Sequence, residues 1–162
     1  MARRICMAGV ALLLTLPASA FAQGCSSQLI EKFMAGWSND MSTLMTVFTD
    51  DIVYEDTTVH EVIHGKNELK KFAQDFFTAF PDVHFVSAPP APVQSGDRAA
   101  VVWRMTGTQK GDMPGMPASN KAMDVVGVSM MQCVDGKIAR NTDYWDMATM
   151  MRQLRFLPPP PK

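Results

Sequence analysis

The sequence predicts one α+β domain in which N-terminal helices pack on the concave face of a strongly curved antiparallel sheet, around a pocket. Three observations carry this expectation. Apolar residues recur at helical spacing through residues 27–48 and again through 66–80. Beyond Pro81 the apolar period falls from about 3.6 to about 2 and stays there over several segments. An Asp-Gly pair, Asp135-Gly136, joins two long alternating runs, as a tight hairpin turn does.

A first helix is expected over residues 27–37, where Leu29, Ile30, Phe33, Met34 and Trp37 share one face. A short second helix follows, capped by Asn39 or Asp40, with Met41, Leu44, Met45 and Phe48 turned inward. Residues 51–56 (DIVYED) read as a strand, and residues 59–65 (VHEVIHG) as a weaker extended segment ending in a glycine turn. The third helix spans residues 66–80. Its stripe of Leu69, Phe72, Ala73, Phe76, Phe77 and Phe80 suits a helix lying across a curved sheet, because each phenylalanine buries a large apolar area. Pro81 stops it. Strands are then expected at 83–88, 99–108, 121–133 and 138–146. A proline-rich link and an SGDR turn separate the first two, and a loop rich in Gly, Pro and Asn over 109–120 separates the next. A short helix over 147–156 and a Pro-rich tail over 158–162 end the sequence. Helices on one face of a concave sheet leave a cavity open at one end, a natural place for a small ligand.

The N-terminus carries a different signal. Arg3 and Arg4 precede apolar residues 5–16, and the small-residue patterns Ala18-Ser19-Ala20 and Ala20-Phe21-Ala22 follow. This is the layout of a secretory signal peptide, with cleavage expected after Ala22. The apolar stretch is too short to span about 30 Å of hydrocarbon. Cys25 lacks the leucine, three residues earlier, that accompanies a lipidated cysteine. The expected product is periplasmic or secreted, with residues 1–22 removed, residues 23–157 as the domain and 158–162 as its tail.

Losing Arg3 and Arg4 changes 15 basic against 16 acidic residues to 13 against 16, a net charge of −3. That excludes nucleic acid as a partner, since phosphate binding needs a basic patch. No later apolar run is long enough to cross a membrane. Two cysteines remain, Cys25 and Cys133, which in an oxidising compartment can pair within one chain or between two.

Metal chemistry finds little support. His60 and His64 are four apart, but on an extended segment that places them roughly 13 Å from each other, too far for one ion. Met113 and Met116 in the loop offer soft ligands for Cu(I); methionine equally fills irregular cavities. The expected reaction uses no metal and no organic cofactor.

The segments FTDDIVYED, HGKNELKKFAQDFFTAFPDV, VVWRMTGTQKGDMPG, VVGVSMMQCVDGKI and DYWDMATMMRQL, in that order, resemble the SnoaL-like polyketide cyclases of the nuclear transport factor 2-like (NTF2-like) superfamily. The resemblance runs from about residue 26 to 157. It implies an α+β cone and a homodimer formed through the outer face of the sheet. The fold hosts cyclases, isomerases, dehydratases and epoxide hydrolases, so it does not choose among them.

In the cyclases an aspartate at the end of the last strand acts as general acid/base, and the matching residue here is Asp146. Strand alternation agrees: over 138–146 every second side chain shares a face, which puts Thr142, Tyr144 and Asp146 together and Asp143 with Trp145 on the other side. A carboxyl beside aromatic walls is poorly solvated, which raises its pKa toward the range where it can move protons. Asp146 is also placed to cap the helix that starts at Met147, and one residue can serve both roles. The expected cavity wall is Tyr54, Phe72, Phe76, Phe77, Trp103, Met105, Met130, Thr142 and Tyr144, with Asp56 as a second carboxyl or as an acid at the loop mouth. The family's Glu-His-Trp arrangement reads Arg140-Asn141-Thr142, and its Gly-Thr-His loop reads Gly107-Thr108-Gln109, so two proton carriers are replaced.

Two readings follow. One is an exported, cofactor-independent acid/base enzyme of cyclase or isomerase type, acting on a small apolar carbonyl compound. The alternative is a non-catalytic protein of the same fold that binds a hydrophobic ligand.

Overall fold

The computed structural model describes residues 24–59 and 61–159. The expected signal peptide, His60 and the last three residues of the tail lie outside the described residues.

The chain starts with α1 (Ser27–Trp37), which Ser26 caps by accepting from the Leu29 amide at 3.1 Å. One turn of helix, α2 (Met41–Leu44), follows, and Asp40 caps it through the Thr43 amide. The long helix α3 (Lys66–Ala79) begins after Gly65, whose φ of 84° suits a residue without a Cβ. The strands are β1 (Phe48–Asp56), β2 (Glu61–His64), β3 (His84–Ser87), β4 (Val93–Ser95), β5 (Arg98–Thr108), β6 (Ala122–Val134) and β7 (Lys137–Trp145). A last helix, α4 (Met147–Gln153), leaves the end of β7.

The sheet is curved and unclosed, with strand order β2-β1-β7-β6-β5-β3 and β4 added to β5. Its pairs are antiparallel except β1 with β7, which run parallel. The expectation of an all-antiparallel sheet therefore needs this correction. The two strands are separated by about half of the chain, and no hairpin forces them to run oppositely. Strand β4 lies within the expected proline-rich link. Phe48, expected on α2, opens β1 instead.

Inward side chains of the sheet meet α1, α2 and α3 in one core. Ile30, Phe33, Leu44, Phe48, Ile52, Leu69, Phe80 and Ile138 are fully buried there. Trp37 is the hub of the aromatic part. Its ring lies 5.6 to 6.4 Å from those of Phe33, Tyr54, Phe72, Phe76, Phe77 and Phe85, mostly edge to face. Cys25 and Cys133 form a disulfide that ties the chain before α1 to the end of β6.

Even-numbered side chains of β6 and of the second half of β7 point to the convex face. Val126, Met130 and Tyr144 are each about half exposed there (52%, 51% and 50%).

Candidate functional site

On the concave side, between α1, α3 and the sheet, lies a cavity of about 50 Å³. Its wall is aromatic: Phe33 and Trp37 from α1, Tyr54 from β1, Phe72 and Phe76 from α3, Phe85 from β3, Trp103 from β5 and Trp145 from β7. Met105 adds a thioether, and the polar groups are Asp56, Ser129 and Asp143.

Asp143 sits at the centre of those polar groups and is 7% exposed. Ser129 Oγ donates to its Oδ1 at 2.6 Å and Asn141 Nδ2 donates to the same oxygen at 2.8 Å. The Tyr54 hydroxyl donates to its Oδ2. Behind Ser129, Trp103 Nε1 donates to the serine hydroxyl at 2.9 Å, which aligns that hydroxyl toward the carboxyl. Burial pushes the Asp143 pKa from 3.8 to about 6. The three donors oppose this rise, and the neighbouring Asp56 charge adds to it. Burial and the Asp143 charge raise the Tyr54 pKa well above its ordinary value, so its hydroxyl keeps its proton.

Asp56 is the register partner of Asp143 across the β1–β7 pair, so the two carboxyls stand side by side on one face. Trp145 Nε1 donates to both Asp56 oxygens at 3.1 Å, and the Thr58 amide and hydroxyl donate to Oδ1. Trp37 differs from these: its Nε1 is buried without a hydrogen-bond partner.

Of the expected wall, Tyr54, Asp56, Phe72, Phe76, Trp103 and Met105 come together at the cavity. Phe77 belongs to the core rather than to the cavity wall. Thr142, Tyr144 and Asp146 require correction. Residues 141, 143 and 145 point inward, and 142 and 144 point to the convex face. The cause is a β-bulge. Gln132 pairs with Arg140 and Cys133 with Ile138, so Ala139 has no partner and the alternation changes phase there. Ile138 is inward, and two-residue counting from it fails past the bulge.

Asp146 lies beyond the strand, exposed, as the N-cap of α4. It accepts from the Thr149 amide at 2.8 Å and from the Thr149 hydroxyl at 2.6 Å. Those bonds hold its carboxyl below the usual range, the opposite of the expected rise. Met130 also faces outward, because its neighbours Ser129 and Met131 take the inward positions of β6. Phe33, Trp37, Phe85, Ser129, Asp143 and Trp145 complete the lining, the last two from the face that strand alternation set opposite the expected wall. Gln109, at the family's histidine position, is fully buried in the 109–120 loop, donating to the Met116 carbonyl and accepting from the Ser119 amide.

The curved α+β sheet and its helices thus enclose a buried carboxyl in an aromatic hollow. The family model for SnoaL-like polyketide cyclases matches residues 27–154, and the chain belongs to that family. Among solved structures it is similar to AclR, a proposed hydroxylase from Streptomyces galilaeus, at 24% identity over 83% of each chain and a TM-score of 0.71. It is also similar to a proposed SnoaL-like polyketide cyclase from Jannaschia, at 20% identity over 90% of this chain and 100% of that one, TM-score 0.70. A third is a protein of ketosteroid isomerase-like fold from Catenulispora acidiphila, solved in complex with trimethylamine, at 16% identity over 80% of this chain and 94% of that one, TM-score 0.69. These likenesses show the fold. No functionally curated protein matches the chain.

Proposed function

We propose that this is an exported, cofactor-independent acid/base enzyme of cyclase or isomerase type, acting on a small carbonyl compound with a mostly apolar body. The observation that carries the reading is the Asp143 carboxyl, buried among aromatic rings with a pKa pushed up to about 6. Above that pH it is a carboxylate and can take a proton from the carbon next to a carbonyl. The proton then returns to another carbon of the same molecule, or to its oxygen, so no external reductant or oxidant is needed. Tyr54, Ser129 and Asn141 hold the carboxyl in place through the transfer. Asp146 caps α4 in this account and takes no part in the chemistry.

Export is supported by the Arg3-Arg4 and apolar N-terminus together with the Cys25–Cys133 disulfide, a bond that persists in oxidising compartments. In this reading cleavage after Ala22 leaves a domain over 23–157. The half-exposed Val126, Met130 and Tyr144 support a homodimer through the convex face, to be checked by sedimentation; a monomer at all concentrations would refute it.

The alternative, a non-catalytic ligand-binding protein, is favoured by one observation. Three donors already engage both oxygens of Asp143, an arrangement that also suits a purely structural carboxyl. Solvent-deuterium incorporation next to the carbonyl, followed by NMR over a panel of small ketones in deuterated water, separates the two. The enzyme reading expects exchange that falls by roughly 10²- to 10⁴-fold in Asp143→Asn. Ligands that bind without any exchange in the native protein would favour the binding protein.

A further inference from the structure

The cavity holds an imbalance of charge. Asp56 and Asp143 stand side by side as register partners, both are buried, and both line the hollow. Like charges on neighbouring strand positions repel, and buried charges are ordinarily paired with opposite ones. Here the partners are all neutral: the hydroxyls of Tyr54, Ser129 and Thr58, the Asn141 amide, the Thr58 backbone amide and the Trp145 indole N–H. The ion pairs among the described residues join Lys66 to Asp50 and Arg104 to Asp124, both away from the cavity. No lysine, arginine or histidine lines it among the described residues. The rest of the wall is aromatic, and the faces of such rings attract cations as well as apolar groups.

We propose that the ligand of this cavity carries a positive charge: a small carbonyl compound bearing an ammonium group, whose cation sits against Asp56 and the aromatic walls. The proposal rests on the reading of the cavity as the functional site and sharpens its substrate from apolar to cationic. It divides the labour between the two acids. Asp56, fixed by Trp145 and the turn at Thr58, anchors the charge, and Asp143 moves the proton. An anionic substrate is excluded, because it would add a third negative charge with no cation nearby.

The protein carries its own probe. It has three tryptophans, Trp37, Trp103 and Trp145, and all three line the cavity. Binding is read as the change in tryptophan emission on titrating choline, and separately its neutral carbon isostere, dimethylbutanol. The two have nearly the same shape, so their ratio reports charge alone. Choline is expected to bind about tenfold tighter than the isostere, the size of a desolvated cation–aromatic and carboxylate contact. In Asp56→Asn the ratio falls toward one. Equal affinity, tighter binding of the neutral compound, or no binding of choline overturns the proposal. The comparison within the native protein decides the matter even where the variant does not fold. Deuterium exchange is measured independently, so loss of exchange with retained choline preference would strike the enzyme reading alone.

Discussion

At the scale of single residues, two aspartates three positions apart have opposite surroundings. Asp143 is buried and its pKa rises to about 6, whereas Asp146 is exposed and held low by the bonds from Thr149. The signs give distinct pH windows. Between about pH 4 and 6 the folded protein holds a proton on Asp143 that the unfolded chain has lost, so stability falls as pH rises through this window. A shift of this size corresponds to about 3 kcal/mol in total, and the loss levels off above pH 6. Urea midpoints measured across the window should show that slope, and Asp143→Asn should flatten it. Asp40, held down to about 2 by its bonds to Thr43 and Ser42, contributes stability that is lost only below pH 4, so it does not blur the result. For Asp146 the account predicts a cap and nothing more. Asp146→Ala should cost about 1 kcal/mol in thermal or urea unfolding and leave choline binding within twofold of the native value. A loss of binding at that position would mean that α4 or its cap reaches the cavity.

At the scale of elements, the helices and the long strands were legible because their signals are local. The faces of α1 and α3, the Pro81 stop and the Asp135-Gly136 turn are all set by nearby residues, and the structure has them where the sequence puts them. The phase of β7 was not legible. A bulge at Ala139 depends on how β7 pairs with β6, a contact that alternation within one strand does not encode. The error therefore carried Thr142 and Tyr144 to the wrong face, and with them the choice between the two aspartates. One available clue was Asn141, a polar residue whose inward position makes sense only beside a buried carboxyl. The short β4 and the parallel β1–β7 pair were hidden for the same reason, since each is decided by a distant partner. Gly127 tests the element packing directly. The Trp103 indole lies over it, and a Cβ there would collide with the ring and with Trp145 Cβ. Gly127→Ala should destabilise by about 1 to 3 kcal/mol and displace Trp103 toward the cavity, visible as a shift in tryptophan emission. An unchanged stability and spectrum would show that this face is looser than described.

At the scale of the whole molecule, the sheet supplies curvature, the helices supply rings, and the Cys25–Cys133 bond secures the start of α1 against the end of β6. That bond closes a loop of 108 residues, so it restricts the unfolded chain strongly. Replacing both cysteines with serine should lower stability by about 2 to 5 kcal/mol in denaturant unfolding, while choline binding to the folded fraction persists. No change in stability would mean that the bond does not restrain the unfolded chain relative to the folded one. The family and the cone were legible in the order of motifs along nearly the whole domain. The cavity contents were not, because they depend on which side of a few strands faces inward.

The most direct test of the whole account is the titration of the Asp143 carboxyl itself, followed by isotope-edited NMR in the native protein with Asp143→Asn to assign the signal. The account predicts a midpoint about two pH units above an ordinary aspartate, near 6. A midpoint at or below 4 would contradict it, since a well-solvated or fully compensated carboxyl could not serve as the proton carrier of this cavity.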